Sequence, residues 1–149
     1  MNTVNVRKVE IGKGIPKICV PVVGITRDDI IDAACKAKET ADLVEWRADW
    51  YEDVLDFKKT EKMMEELRET LGDIPLLFTF RTLKEGGEKE IEKSVYVKLN
   101  EMAVKTGFAD LVDAEAFTGT DEVNTIVETA HWYGVKVIAS IHDFQKTPP

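Results

Sequence analysis

The chain has 149 residues, 44% of them hydrophobic and 32% charged, which suits one globular domain of ordinary size and not a disordered segment. Its formal net charge of -8 argues against generic binding to nucleic acid or to an anionic membrane. An anionic small molecule stays open, because a local pair of arginines can oppose the global charge.

Met1 to Glu10 is polar and charged, unlike a signal peptide, and no apolar run approaches the roughly 18 residues of a membrane span. The chain therefore reads as cytoplasmic. Cys19 and Cys35 lie in apolar and helical runs and read as a reduced, buried pair in a cytosolic protein.

In chain order, Val4–Val6 and Val9–Ile11 predict a small hairpin, a plug or cap, with Gly12 and Gly14 after it. Short apolar runs then alternate with amphipathic stretches. The runs Ile18–Ile25, Leu43–Arg47, Leu76–Arg81, Leu111–Glu115 and Val135–Ile141 suit parallel strands covered on both faces. Helical spacing covers about Asp28–Thr40, opened by a variant capping box of Thr26 and Asp29. It recurs over about Phe57–Leu71, Ile91–Thr106 and Asp121–Tyr133, with Gly72, Gly107 and Gly134 as stops. The pair Met63 and Met64 reads as core filling.

The order β-α-β-α-β-α-β-α-β repeats every 28 residues or so, as βαβ units do. Right-handed crossovers give a parallel sheet, either part of a barrel or an open sheet of flavodoxin type. The open sheet lacks a Gly-rich phosphate loop after its first strand. The segment Asp143–Pro149 follows a strand directly, where the next helix should begin, and reads as truncation.

In parallel αβ folds chemistry gathers at the C-terminal ends of strands. Period two places Glu45, Arg47 and Asp49 on one face, against Val44, Trp46 and Ala48 on the other. Three charges there require either an internal ion-pair network or a polar barrel mouth. Arg81 ends the third strand, and Glu85, Gly86 and Gly87 follow in a mobile or tightly turned loop. Asp113 with Glu115, and Ser140 with His142, end the next two strands in shared-face pairs. His142 suits acid/base work because imidazole titrates near neutrality. His131, on the fourth helix, reads as a surface residue.

Four motifs, EWRAD (Glu45–Asp49), FTFRT with EGG (Phe78–Gly87), LVDAE (Leu111–Glu115) and SIHDF-x-x-TP (Ser140–Pro148), together resemble the type I 3-dehydroquinate dehydratases. The resemblance implies a (β/α)8 TIM barrel of the shikimate pathway of aromatic amino acid biosynthesis. Such a lyase converts 3-dehydroquinate to 3-dehydroshikimate through a Schiff base with a lysine, without metal or organic cofactor. Carried over by motif, Glu45, Arg47 and Arg81 contact substrate, His142 is the general acid/base, Glu85 orients or polarises it, and Asp49 supports them from behind. An iminium acidifies the adjacent carbon, so one positioned histidine serves several proton transfers.

Against that family, this chain stops before the strand that carries the lysine. Lys17, Lys136, Lys84 and Lys146 are not placed to substitute. Ala114 and Ala116 stand where the family is usually bulkier, Ile141 where it is usually polar, and Pro21 where it often offers a small polar contact. Residues 1–149 are thus expected to form a single incomplete TIM-barrel domain, α/β, with about five parallel strands, four helices and an N-terminal hairpin. Alone it is expected to be inactive and to form homo-oligomers, most simply a dimer, through open sheet edges. The alternative is a structural, self-assembling half-barrel without catalysis.

Overall fold

A computed structural model describes residues 2–147. The hairpin is present, with strands β1 (Val4–Val6) and β2 (Val9–Ile11) antiparallel and Val6 opposite Val9. Then follow β3 (Cys19–Val22), α1 (Arg27–Ala37), β4 (Leu43–Arg47), α2 (Phe57–Leu71), β5 (Leu76–Thr79), α3 (Lys93–Lys105), β6 (Leu111–Glu115), α4 (Thr120–Trp132) and β7 (Lys136–Ser140). The last five strands form one parallel sheet in chain order, β3-β4-β5-β6-β7. The expected partial barrel, with five parallel strands and four helices after a hairpin, is the observed architecture.

Local signals set most boundaries. Thr26 caps α1, its hydroxyl accepting from the Asp29 amide while the Asp29 carboxylate accepts from the Thr26 amide. Asp56 caps α2 by accepting from Lys59 N at 3.2 Å. The predicted first strand is too long: pairing with β4 covers Cys19 to Val22 only, and the chain then turns into the α1 cap. The third strand likewise stops at Thr79, before Arg81.

Strand register sorts the side chains into two faces. Val22, Val44, Trp46, Phe78, Phe80, Val112 and Ala114 are buried in a core that includes Ile30, Met63, Met64, Leu99 and Ile126 from the helices. Trp46 meets Phe78 edge-on at 5.7 Å, and both are fully buried. The two methionines are core residues, as their spacing predicts. Of each such side chain, complete burial is worth about 1.5–3 kcal/mol relative to exposure.

The opposite face carries Leu43, Glu45 and Arg47, with Pro21, Leu77 and Thr79 beside them in the ladder. Its N-terminal end is apolar: Leu43, Leu77 and Leu111 cluster with Val6, and Val9 and Ile11 pack against them. The hairpin thus plugs this end of the sheet. Arg7, at the hairpin turn, anchors it through Asp110 at 2.7 Å and Asp73 at 3.3 Å.

The cysteine reading is corrected. Both thiols are unpaired, as expected of reduced cysteines, but Cys19 and Cys35 are exposed, not buried. Cys19 lies on β3, which among the described residues is an edge strand of the sheet. The residue as a whole is exposed, but the surrounding chain partly desolvates the sulfur, and this, more than the neighbouring Glu45 carboxylate, pushes its thiol up to about 11. Among the described residues no helix is long and apolar enough to cross a membrane.

Candidate active site

Polar side chains gather at the C-terminal ends of β4 to β7. Strand β4 ends at Arg47, and Ala48–Trp50 form a 3-10 turn. The expectation that Asp49 continues the strand face is therefore corrected. The turn drives Asp49 inward, where it is fully buried. Its carboxylate accepts from Arg47 Nε and Nη2, both at 2.9 Å, and from the backbone amides of Arg81 at 3.2 Å and Glu88 at 3.1 Å. This bidentate pair holds the Arg47 guanidinium protonated more firmly than usual. The internal ion pair and the polar face, alternatives in the sequence, coexist here.

Arg81 lies just past β5 and is 6% exposed. Its Nη1 donates to Glu115 Oε1 at 3.2 Å and to Ser140 Oγ at 2.9 Å, and stands 3.1 Å from Asp113 Oδ1. Ser140 in turn donates to Asp113 Oδ1 at 2.8 Å. Desolvation alone would lower the guanidinium pKa, but the two carboxylates outweigh it and raise it. All these contacts use one nitrogen of the fork.

The EGG loop is tightly turned. Gly86 has φ 91 and a Cβ there would strike the Phe144 ring at 2.5 Å. At Gly87 a Cβ would lie 1.8 Å from the Arg81 carbonyl oxygen, so only glycine lets the chain fold back this closely. Both Glu85 N and Gly87 N donate to the Thr82 carbonyl, at 3.0 and 2.8 Å. The turn buries Glu85 and aims it at β7. Its Oε1 accepts from the His142 amide at 2.6 Å and stands 3.4 Å from His142 Nδ1. The imidazole itself is 38% exposed and stacks near Phe144, with ring centroids 6.5 Å apart.

A cavity of about 1040 Å³ opens beside this pair, lined by Glu85, Glu115 and His142 together with Leu83, Phe117 and Phe144. Arg47, Arg81 and Glu45 do not line it. The half-buried Glu45 lies on the inner face of β4, level with Pro21 and Leu77. Direct hydrogen bonds thus join Asp49 to Arg47 and Arg81, and Glu85 to His142; Glu115, bonded to both Arg81 and Thr82, links the two groups. Among the described residues Glu45 enters neither through its side chain.

Tyr96 is the residue that sequence reasoning missed. It projects from α3, fully buried, and its hydroxyl accepts from Glu115 N at 3.0 Å and donates to Asp113 O at 3.4 Å. Its helical spacing with Leu99 and Ala103 was the available signal. Burial raises its phenol pKa, so it stays a neutral donor. Burial likewise pushes the Glu115 carboxyl up, helped by Glu85 and opposed by hydrogen bonds from Thr82 and by Arg81.

The family described as type I 3-dehydroquinase matches residues 18–149. The 3-dehydroquinate dehydratase of Clostridium botulinum strain Eklund 17B is 54% identical over 97% of this chain and 58% of its own length. That of Clostridioides difficile strain 630 is 47% identical over 97% of this chain and 57% of its own. Among solved structures, a Clostridium difficile type I 3-dehydroquinate dehydratase with covalently modified comenic acid superposes with a TM-score of 0.96 at 46% identity, covering 99% of this chain and 58% of that one. The Enterococcus faecalis 3-dehydroquinate dehydratase gives 0.92 at 45% identity, covering 97% and 61%. This chain spans less than two thirds of the length of these relatives, and over that span it belongs to the type I 3-dehydroquinase family.

Proposed function

We propose that this chain, read as one incomplete barrel unit over residues 1–149, supplies the acid/base and part of the substrate-binding groups of a 3-dehydroquinate dehydratase. One observation carries the reading: Glu85 Oε1 grips His142 at its backbone amide, 2.6 Å away, and faces Nδ1 at 3.4 Å. With Nδ1 turned toward a carboxylate, Nε2 is left for substrate. His142 then removes the proton beside the substrate's carbonyl-derived carbon and delivers a proton to the departing hydroxyl.

Arg47, held flat by Asp49, presents a fixed cation on the inner face, and Glu45 below it suits hydroxyl groups. Arg81 reaches an anionic substrate through the nitrogens of its fork that Asp113, Glu115 and Ser140 do not use. A covalent step requires an amine nucleophile that accepts the substrate carbonyl. Lys89 is unsuited to it, because its Nζ donates to the carbonyls of Asp49 at 2.5 Å and Tyr51 at 3.0 Å. Lys136 opens β7 at the opposite end from His142. Lys84 and Lys93 line the cavity itself, and with neither forming an imine this chain by itself is inactive. The unpaired thiols fit a reducing cytoplasm.

The test is borohydride reduction in the presence of 3-dehydroquinate, followed by mass spectrometry. No adduct is expected on this chain, and an adduct on any lysine here overturns its inactivity. Adding the remaining strands of a relative as a separate polypeptide should restore enone formation, and His142→Ala should abolish it. Restored activity that survives His142→Ala refutes the acid/base role.

A second reading has its own observation. Strands β3 and β7 are the sheet edges, and Ile18, Ile138 and Ile141 beside them are 57%, 40% and 46% exposed. Unpaired edges with apolar flanks template pairing with a second copy. A non-catalytic half-barrel dimer would then form, and sedimentation as a monomer across the micromolar range rejects it.

A further inference from the structure

We infer that Glu115 is a positioning residue that sets the Glu85–His142 pair through Thr82. The inference rests on the reading of that pair as the acid/base unit. Glu115 ends β6 and is 3% exposed. Its two oxygens clamp one residue twice: Oε1 accepts from Thr82 N at 2.9 Å and Oε2 from Thr82 Oγ1 at 2.8 Å. Thr82 is the N-cap of the turn Leu83–Glu85. Its carbonyl accepts from Glu85 N and Gly87 N, at 3.0 and 2.8 Å. The clamp therefore grips the root of the turn that delivers the Glu85 carboxylate.

The far side of the same pair is tied to Glu115 too. Glu115 stands opposite Ser140 in the β6–β7 ladder, and Ala116 N donates to Ser140 O at 2.8 Å, two residues before His142. The Glu115 side chain and the backbone just after it thus hold both the loop that bears Glu85 and the strand that leads to His142. A second carboxylate beside Glu85 is electrostatically costly, and the Arg81 guanidinium, 3.2 Å from Glu115 Oε1, offsets it. A merely structural polar contact could sit anywhere on the loop; this one engages both the amide and the hydroxyl of the residue whose carbonyl organises the turn.

The readout is the His142 backbone amide proton in a two-dimensional NMR spectrum of this chain, which the short bond to Glu85 should place well downfield. Glu85→Ala sets the position for complete loss of that bond. Glu115→Ala and Thr82→Val should move the resonance upfield toward it, Thr82→Ser should restore it, and the double variant should move it no further than Glu115→Ala. Coupling of this kind is what non-additivity measures. The His131 amide, on α4, should stay in place in every variant and serves as the control for folding. An unmoved His142 resonance in Glu115→Ala, with a shift in Glu85→Ala, overturns the inference and leaves the pair intact. No shift in Glu85→Ala overturns both.

Discussion

Asp49 accepts both Nε and Nη2 of Arg47 at 2.9 Å from a position with no solvent exposure. A buried carboxylate with four donors is a joint between β4 and the loop after β5. Asp49→Ala leaves the Arg47 cation and two backbone amides without their partner. It should cost about 3–5 kcal/mol of stability, measured by urea unfolding. A loss below about 1 kcal/mol, the scale of an exposed pair, would show that water replaces the joint at little cost.

The Tyr96 hydroxyl is the sole change in Tyr96→Phe, which keeps the ring and strands the Glu115 amide. The expected loss is about 1–3 kcal/mol in the same unfolding assay, from one buried donor left unsatisfied. An unchanged midpoint would mean that the helix and strand adjust to pair the amide elsewhere.

Glu115 makes stability depend on pH with a definite sign. Its folded pKa is raised, chiefly by burial, above the ordinary 4.5 of the unfolded chain, so the folded state holds its proton more tightly. The group's contribution is fully present below pH 4.5 and is lost as pH rises through the raised folded value. Wild type should therefore lose stability over that interval relative to Glu115→Gln, which has no titrating carboxyl. Parallel stability curves for the two proteins from pH 4 to 8 would sink the claim.

A methyl group at position 87 has nowhere to go, because it would sit 1.8 Å from the Arg81 carbonyl oxygen. Gly87→Ala should displace the loop and loosen Glu85 from His142. The expected destabilisation is about 1–3 kcal/mol, the range for overpacked sites. The matching observation is a shifted His142 amide, and a wild-type spectrum would contradict it.

Cys19 should alkylate slowly at neutral pH despite its exposure, with a rate that climbs until pH approaches about 11. Partial desolvation of the sulfur is the larger cause and Glu45 the smaller, so Glu45→Gln should move the rate profile to lower pH. An unaltered profile would place the Glu45 carboxylate too far from the thiol to act on it.

The alternation of apolar runs and amphipathic stretches was enough to determine the parallel β/α order. It located β4, α2 and β6 at their observed bounds, because periodicity and caps are local properties of the chain. The polar motifs at strand ends led to the expectation that Glu45, Arg81 and His142 share one mouth; hydrogen bonds join Arg81 with Asp49 and Glu115, and His142 with Glu85, while the Glu45 side chain enters neither set among the described residues. Local sequence could not show that Asp49 leaves the strand in a 3-10 turn and buries its charge, since that depends on amides donated by Arg81 and Glu88 from another loop. Nor could it show that Cys19 is exposed, which follows from the position of β3 at the sheet edge, or that Tyr96 reaches across from α3 to the backbone of β6. Residue order settles what each segment prefers by itself. Which charges are desolvated, and which partners meet them, is decided only when distant segments pack and exclude water.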